Sequence, residues 1–164
     1  MKTPARCLAA GIAGTALLIV GPGAFAAAGA TNVLSDKVTF TAQLVPNGPG
    51  QFTLQNQGCN LTSDGETQVF SCQISGLLTQ TSPTTAGIST TVTSADGRTF
   101  SSARLTLSST GSFLGKGHGS EEDAPDPGQP PPPGYPCIAK YSGTINAAMV
   151  MSGTLKMKES TTAP

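Results

Sequence analysis

Residues 86–107 read AGISTTVTSADGRTFSSARLTL, and the pattern of this stretch sets the fold class. Apolar residues alternate with Ser and Thr, the two-fold period of a half-buried strand. Asp96-Gly97 lies between the two runs and suits a two-residue turn, because both central positions of a type I′ turn need positive φ. Pairing outward from it sets Val92 opposite Ser101, Thr90 opposite Ala103, Ile88 opposite Leu105 and Ala86 opposite Leu107. The apolar residues of both runs then share one face, so turn chemistry and hydrophobic pattern agree on an antiparallel hairpin.

The same period recurs on either side. Val38, Phe40, Ala42 and Leu44 fall on one face, with Thr39, Thr41 and Gln43 on the other. Pro46-Asn47-Gly48-Pro49-Gly50 ends that run with turn residues, and Phe52 and Leu54 start the next. A second hairpin spans about 57–78 around Asp64-Gly65, with Phe70, Cys72, Ile74, Gly76 and Leu78 on one face. Later, Ala139, Tyr141, Gly143 and Ile145 alternate with Ile138, Lys140, Ser142 and Thr144, and Met149, Met151, Gly153, Leu155 and Met157 alternate with Val150, Ser152, Thr154, Lys156 and Lys158. Tyr141-Ser-Gly-Thr-Ile145 is echoed ten residues on by Met151-Ser-Gly-Thr-Leu155, the spacing of neighbouring strands in a meander. Thr- and Gly-rich composition favours strand over helix. The expected fold is all-β: a single-domain antiparallel sandwich or small barrel built from meander-type hairpins.

Residues 115–136 break the alternation. Gly115-Lys-Gly-His-Gly119 is followed by Glu121-Glu122-Asp123, Asp126 and the proline run Pro130–Pro133. This reads as one long exposed loop, acidic and then proline-stiffened.

The N-terminus reads as an export signal. Lys2 and Arg6 precede an uncharged apolar run to Val20, Gly21-Pro22-Gly23 breaks it, and Ala24-Phe25-Ala26 offers a cleavage pattern. The expected organisation is therefore a cleaved signal over 1–26, a lead-in over 27–34, a β-domain over 35–158 and a loose tail over 159–164. The apolar run is too short to span a bilayer, so no membrane span is expected in the mature chain, which is placed in a secreted or periplasmic compartment. Without Lys2 and Arg6, seven basic residues remain against nine acidic ones. Lys37, Arg98, Arg104, Lys116, Lys140, Lys156 and Lys158 are scattered along the chain, which speaks against nucleic acid and anionic membrane surfaces as partners.

Cys7 falls in the signal, leaving Cys59, Cys72 and Cys137. Cys59–Cys72 is the preferred disulfide, with Cys137 the possible alternative partner. With Asp64-Gly65 as the turn, Cys59 faces Phe70, and a longer, shifted loop is needed to oppose the two sulfurs.

No catalytic motif, cofactor site or ligand frame is present. His118, Glu121, Glu122, Asp123 and Asp126 are the weak candidates for a metal, and a solvated acidic loop is the simpler reading. The expected role is non-catalytic: an exported binding or cell-surface protein, its partner an extracellular protein or a small ligand, with the 115–136 loop as the contact region. The alternatives are a fimbrial or matrix subunit that assembles by strand addition and a β-barrel that encloses a small ligand.

Overall fold

A computed structural model describes residues 35–63, 68–95, 97–124 and 134–159. The described residues form nine strands: β1 Ser35–Pro46, β2 Gln51–Ser63, β3 Val69–Ser71, β4 Gln73–Ser82, β5 Thr85–Thr93, β6 Gly97–Leu107, β7 Ser112–Asp123, β8 Tyr135–Ile145 and β9 Val150–Glu159. All pairings are antiparallel, in the order β1-β9-β8-β7-β6-β5-β4-β2-β3, and β1 also pairs with β2. That last ladder closes the sheet into an eight-stranded barrel, with β3 as an extra strand. Of the two architectures expected, the chain adopts the barrel. The expected signal, lead-in and tail beyond Glu159 lie outside the described residues.

Two-fold alternation builds the core. Val38, Phe40, Ala42 and Leu44 of β1 point inward, as do Ile74 and Leu78 of β4, Ala86, Ile88 and Val92 of β5, and Met151, Leu155 and Met157 of β9. Each large aliphatic or aromatic side chain so buried contributes about 1.5–3 kcal/mol. An eight-stranded barrel is just wide enough for its interior to be filled this way. The outer wall is polar, the reverse of the apolar-out alternation of a membrane-spanning barrel. Among the described residues no helix is long and apolar enough to cross a membrane.

β2 is one continuous strand with a bulge. Thr41 faces Gly58 but Ala42 faces Asn56, so Gln57 is the extra residue. The extra residue flips the side-chain parity, which lets Phe52 and Leu54 before it, and Cys59 and Leu61 after it, all point inward.

Two expected registers shift by two residues. In the β5–β6 hairpin Val92 pairs with Thr99, Thr90 with Ser101, Ile88 with Ala103 and Ala86 with Leu105. The hairpin closes one step earlier than Asp96-Gly97 implied, with Ser94 N–H donating to the Gly97 carbonyl at 2.9 Å. Gly97 serves as a strand residue beside β7, where an added Cβ would collide with the Glu122 carbonyl. In the β2–β3 hairpin Leu61 faces Phe70, which brings Cys59 opposite Cys72; Asp64-Gly65 lies outside the described residues. A two-residue shift preserves the inward face, so the core assignments survive it.

The expected loop over 115–136 is corrected more deeply. Residues 115–123 belong to β7, which pairs along its whole length with β6 and β8, and β8 resumes at Tyr135. The inward positions of β7 between Phe113 and Glu121 are Gly115, Gly117 and Glu121's neighbour Gly119, so the strand carries no apolar alternation to read. Glycine is needed there because β6 crowds in: a Cβ on Gly117 would strike the Ser102 carbonyl.

The bare stripe on β7 is spanned by Tyr141. It sits opposite Gly115 on β8, is 2 % exposed, and its hydroxyl reaches Thr90 Oγ1 of β5 and Ser101 Oγ of β6, each at 2.6 Å. Thr90 and Ser101 are themselves 3.0 Å apart, which completes a buried triangle of hydroxyls. Burial pushes the Tyr141 hydroxyl up from its ordinary pKa of 10.0, and the hydrogen bonds with Ser101 and Thr90 work in the opposite direction.

The two ends of the barrel differ. Short turns at 47–50, 83–84, 108–111 and 146–149 join strands at one end. Asn146 illustrates their chemistry: its side-chain oxygen accepts the N–H groups of Ala148 and Val150, each at 3.0 Å. The opposite end carries the start of β1, the β2–β3, β5–β6 and β7–β8 connections, and the end of β9.

Candidate anion-binding face

The outer wall gathers what the sequence disperses. Arg104 of β6 pairs with Lys116 of β7, Lys116 with Lys140 of β8, Lys140 with Lys156 of β9, and Lys156 with Lys37 of β1. Five basic residues far apart in sequence thus form one unbroken cross-strand row, and all five are exposed. The row ends at Gly87 of β5 on one side and Thr62 of β2 on the other. This corrects the reading of the cations as scattered, and with it the premise on which polyanionic partners were set aside.

No acidic residue occupies a position in the row. The next outward positions on one side are Thr106, Leu114, Ser142, Thr154 and Thr39, and those on the other include Ser102, His118, Ile138 and Lys158. Arg98 lies apart from the row, opposite Glu122. An open groove of about 590 Å³ lies along four of the five cations, lined by Arg104, Lys116, Lys140 and Lys156 with Leu114 and Ser142 and stopping short of Lys37. Leu114 is 67 % exposed there. Like charges directly opposed on adjacent strands disfavour the fold, so the row is an electrostatic cost that the local structure does not offset.

The carboxylates are placed differently. Asp36 and Glu121 point into the barrel and are buried, while Glu122 and Asp123 end β7. Asp64, Glu66, Asp96 and Asp126 lie outside the described residues. Among the described residues the five cations of the row therefore stand on the outer wall with no acid among them.

The weak metal candidates are not brought together. Strand alternation along β7 sends Glu121 inward and His118 and Glu122 outward, and Asp126 lies outside the described residues. Among the described residues no group of three or more His, Cys, Asp or Glu is arranged to hold a metal ion. The buried hydroxyls of Thr90, Ser101 and Tyr141 donate and accept among themselves, with no imidazole or carboxylate in the triangle to activate one of them as a nucleophile.

The preferred disulfide is present. Cys59 and Cys72 are bonded with Cα atoms 4.9 Å apart, and Cys72 N–H donates to the Cys59 carbonyl at 3.1 Å. The bridge is compatible with an oxidising, extracytoplasmic compartment. Cys137 is a buried free thiol and does not take the alternative role.

The cationic row escaped sequence reading because it depends on cross-strand register. In sequence its members are isolated single charges; the usable signal was their outward parity in four alternating runs, and the unread β7 concealed Lys116. No protein-family model matches this chain, and no curated protein or solved structure does so either.

Proposed function

We propose that this is an exported, non-catalytic binding protein that holds anionic ligands against the outer wall of its barrel. The observation that carries the reading is the row Arg104–Lys116–Lys140–Lys156–Lys37, five directly neighbouring cations with no interspersed acid. Such a row costs folding free energy and is useful only when an anion fills it. The barrel supplies rigidity, since each basic residue is fixed by ladders on both sides. Two rival readings lose support. The interior is occupied by side chains such as Tyr141, Phe113 and Leu155, which leaves little to recommend a container for a small ligand. Closure through β1–β2 pairs the strand edges of the eight-stranded wall and leaves the three-residue β3 as the edge among the described residues, a short template for strand addition. Export rests on the N-terminal leader pattern, with which the disulfide is consistent.

Chromatography on a sulfonate resin at neutral pH and low salt tests the reading. The protein should be retained despite its balanced net charge. Lys116→Glu should elute at much lower salt than Arg98→Glu, although both make the same change in net charge. Equal elution of the two variants, or flow-through of the parent, contradicts the proposal.

A further inference from the structure

We infer that the occupant of the cationic row is a flexible, linear acidic polysaccharide that runs across β6, β7, β8, β9 and β1; this rests on the anion-binding reading above. The first argument is shape. The row crosses four of the eight interstrand steps of a closed barrel, and with strands tilted by about 35–45° it winds obliquely over roughly a quarter to a third of the circumference. At the backbone it spans about 19 Å, four steps of roughly 4.8 Å, and it fans wider at the side-chain tips because the wall is convex. A flat lipid surface touching a convex wall reaches only the strands nearest the tangent. The folded body of a second copy has the same difficulty. A flexible chain can follow the curve and meet all five charges in turn.

The second argument is the chemistry beside the charges. Thr106, Ser142, Thr154 and Thr39 flank the row on one side, and Ser102 lies on the other. These hydroxyls can donate to and accept from sugar hydroxyls, while the cations pair with carboxylates or sulfates. Four of the five cations are Lys, which acts as a mobile point charge and does not demand the fixed fork geometry of Arg. Single-stranded nucleic acid calls for stacking platforms along its path. The row and the positions next to it carry no Phe, Tyr or Trp. The exposed aromatic Phe100 lies four residues along β6 from Arg104.

The test is an affinity series with the full mature chain at constant low ionic strength. The probes are size-fractionated polygalacturonate, a single-stranded polynucleotide of matched charge, and vesicles containing an anionic phospholipid. Polygalacturonate affinity should rise with chain length until the oligomer spans the row and then level off. It should exceed that for the other two probes. Lys140→Glu should weaken it by about tenfold or more, and Arg98→Glu by less than about twofold, with the fold of each checked by circular dichroism. Tighter binding to vesicles or polynucleotide, still lost in Lys140→Glu, overturns the polysaccharide assignment and leaves the anion-binding reading standing. Failure of all three probes overturns both. Concentration-dependent self-association that Lys140→Glu abolishes, without polygalacturonate binding, assigns the row to a second copy and also overturns the inference.

Discussion

Lys116 of β7 and Lys140 of β8 stand directly opposite each other on the outer wall, and each has a further cation as its neighbour on the other side. An arrangement selected only for stability would place an acid at one of these positions. Lys140→Glu should therefore raise stability, by about 0.5 kcal/mol or less, because it replaces two repulsive cross-strand pairs with attractive ones. Urea denaturation at low salt checks this, and the gain should shrink as salt is added. A variant that binds polyanions poorly yet unfolds later separates ligand binding from folding; a variant less stable than the parent contradicts the account of the row as an electrostatic cost.

Gly143 and Gly153 face each other across β8 and β9, and Phe113 packs over the patch they leave bare. A Cβ on Gly153 would strike the Ser142 carbonyl and lie 2.9 Å from Phe113 Cζ, and one on Gly143 would strike the Ser152 carbonyl and lie 2.7 Å from the same Phe113 atom. Gly143→Ala or Gly153→Ala should each destabilise the barrel by about 1–3 kcal/mol through overpacking. Thermal unfolding followed by circular dichroism measures this, and unchanged midpoints would contradict the close approach of β8, β9 and Phe113 at these glycines.

Tyr141 gives the barrel an alkaline sensitivity. Its hydroxyl ionises at higher pH when folded than the ordinary value of 10.0, because burial disfavours the anion. Above that ordinary value the unfolded chain holds fewer protons than the folded one, so stability falls as pH rises. The contribution is complete below the unfolded pKa and is lost as pH climbs through the folded one. Tyr141→Phe should cost about 1–2 kcal/mol at neutral pH, by leaving Thr90 and Ser101 with only each other. It should also flatten the decline above pH 10. Urea midpoints at pH 7 to 11 for both proteins test this, and parallel alkaline slopes contradict it.

The Cys59–Cys72 bridge closes a sequence separation of 13 and should contribute about 3 kcal/mol by loop-closure entropy. Replacing both residues with Ser should lower stability by about that amount. Cys137 is 1 % exposed, so a thiol reagent should leave it unmodified in the native chain and modify it once denaturant opens the barrel. Fast native labelling would show that β8 opens readily.

Legibility followed the alternation. Val38 to Leu44, Phe70 to Leu78 and Met151 to Met157 declare their buried faces because every second residue is apolar. The Tyr-Ser-Gly-Thr-Ile and Met-Ser-Gly-Thr-Leu echo marked β8 and β9 as neighbours, and it places Gly143 opposite Gly153. Reading failed where a residue serves a neighbour's geometry. Gly97 looked like a turn residue but yields to the approach of β7. Gly115, Gly117 and Gly119 looked like a flexible loop but leave space beneath Tyr141 and beside β6. The cationic row was hidden for a related reason: residues 37, 104, 116, 140 and 156 become neighbours only once five strands are in register.

The most direct measurement is an amide chemical-shift titration of the protein with polygalacturonate oligomers. The account predicts shifts centred on Arg104, Lys116, Lys140, Lys156 and Lys37 and on their hydroxyl-bearing neighbours on the wall. Shifts confined to the end that carries the β2–β3 and β7–β8 connections, with the wall unchanged, would contradict it.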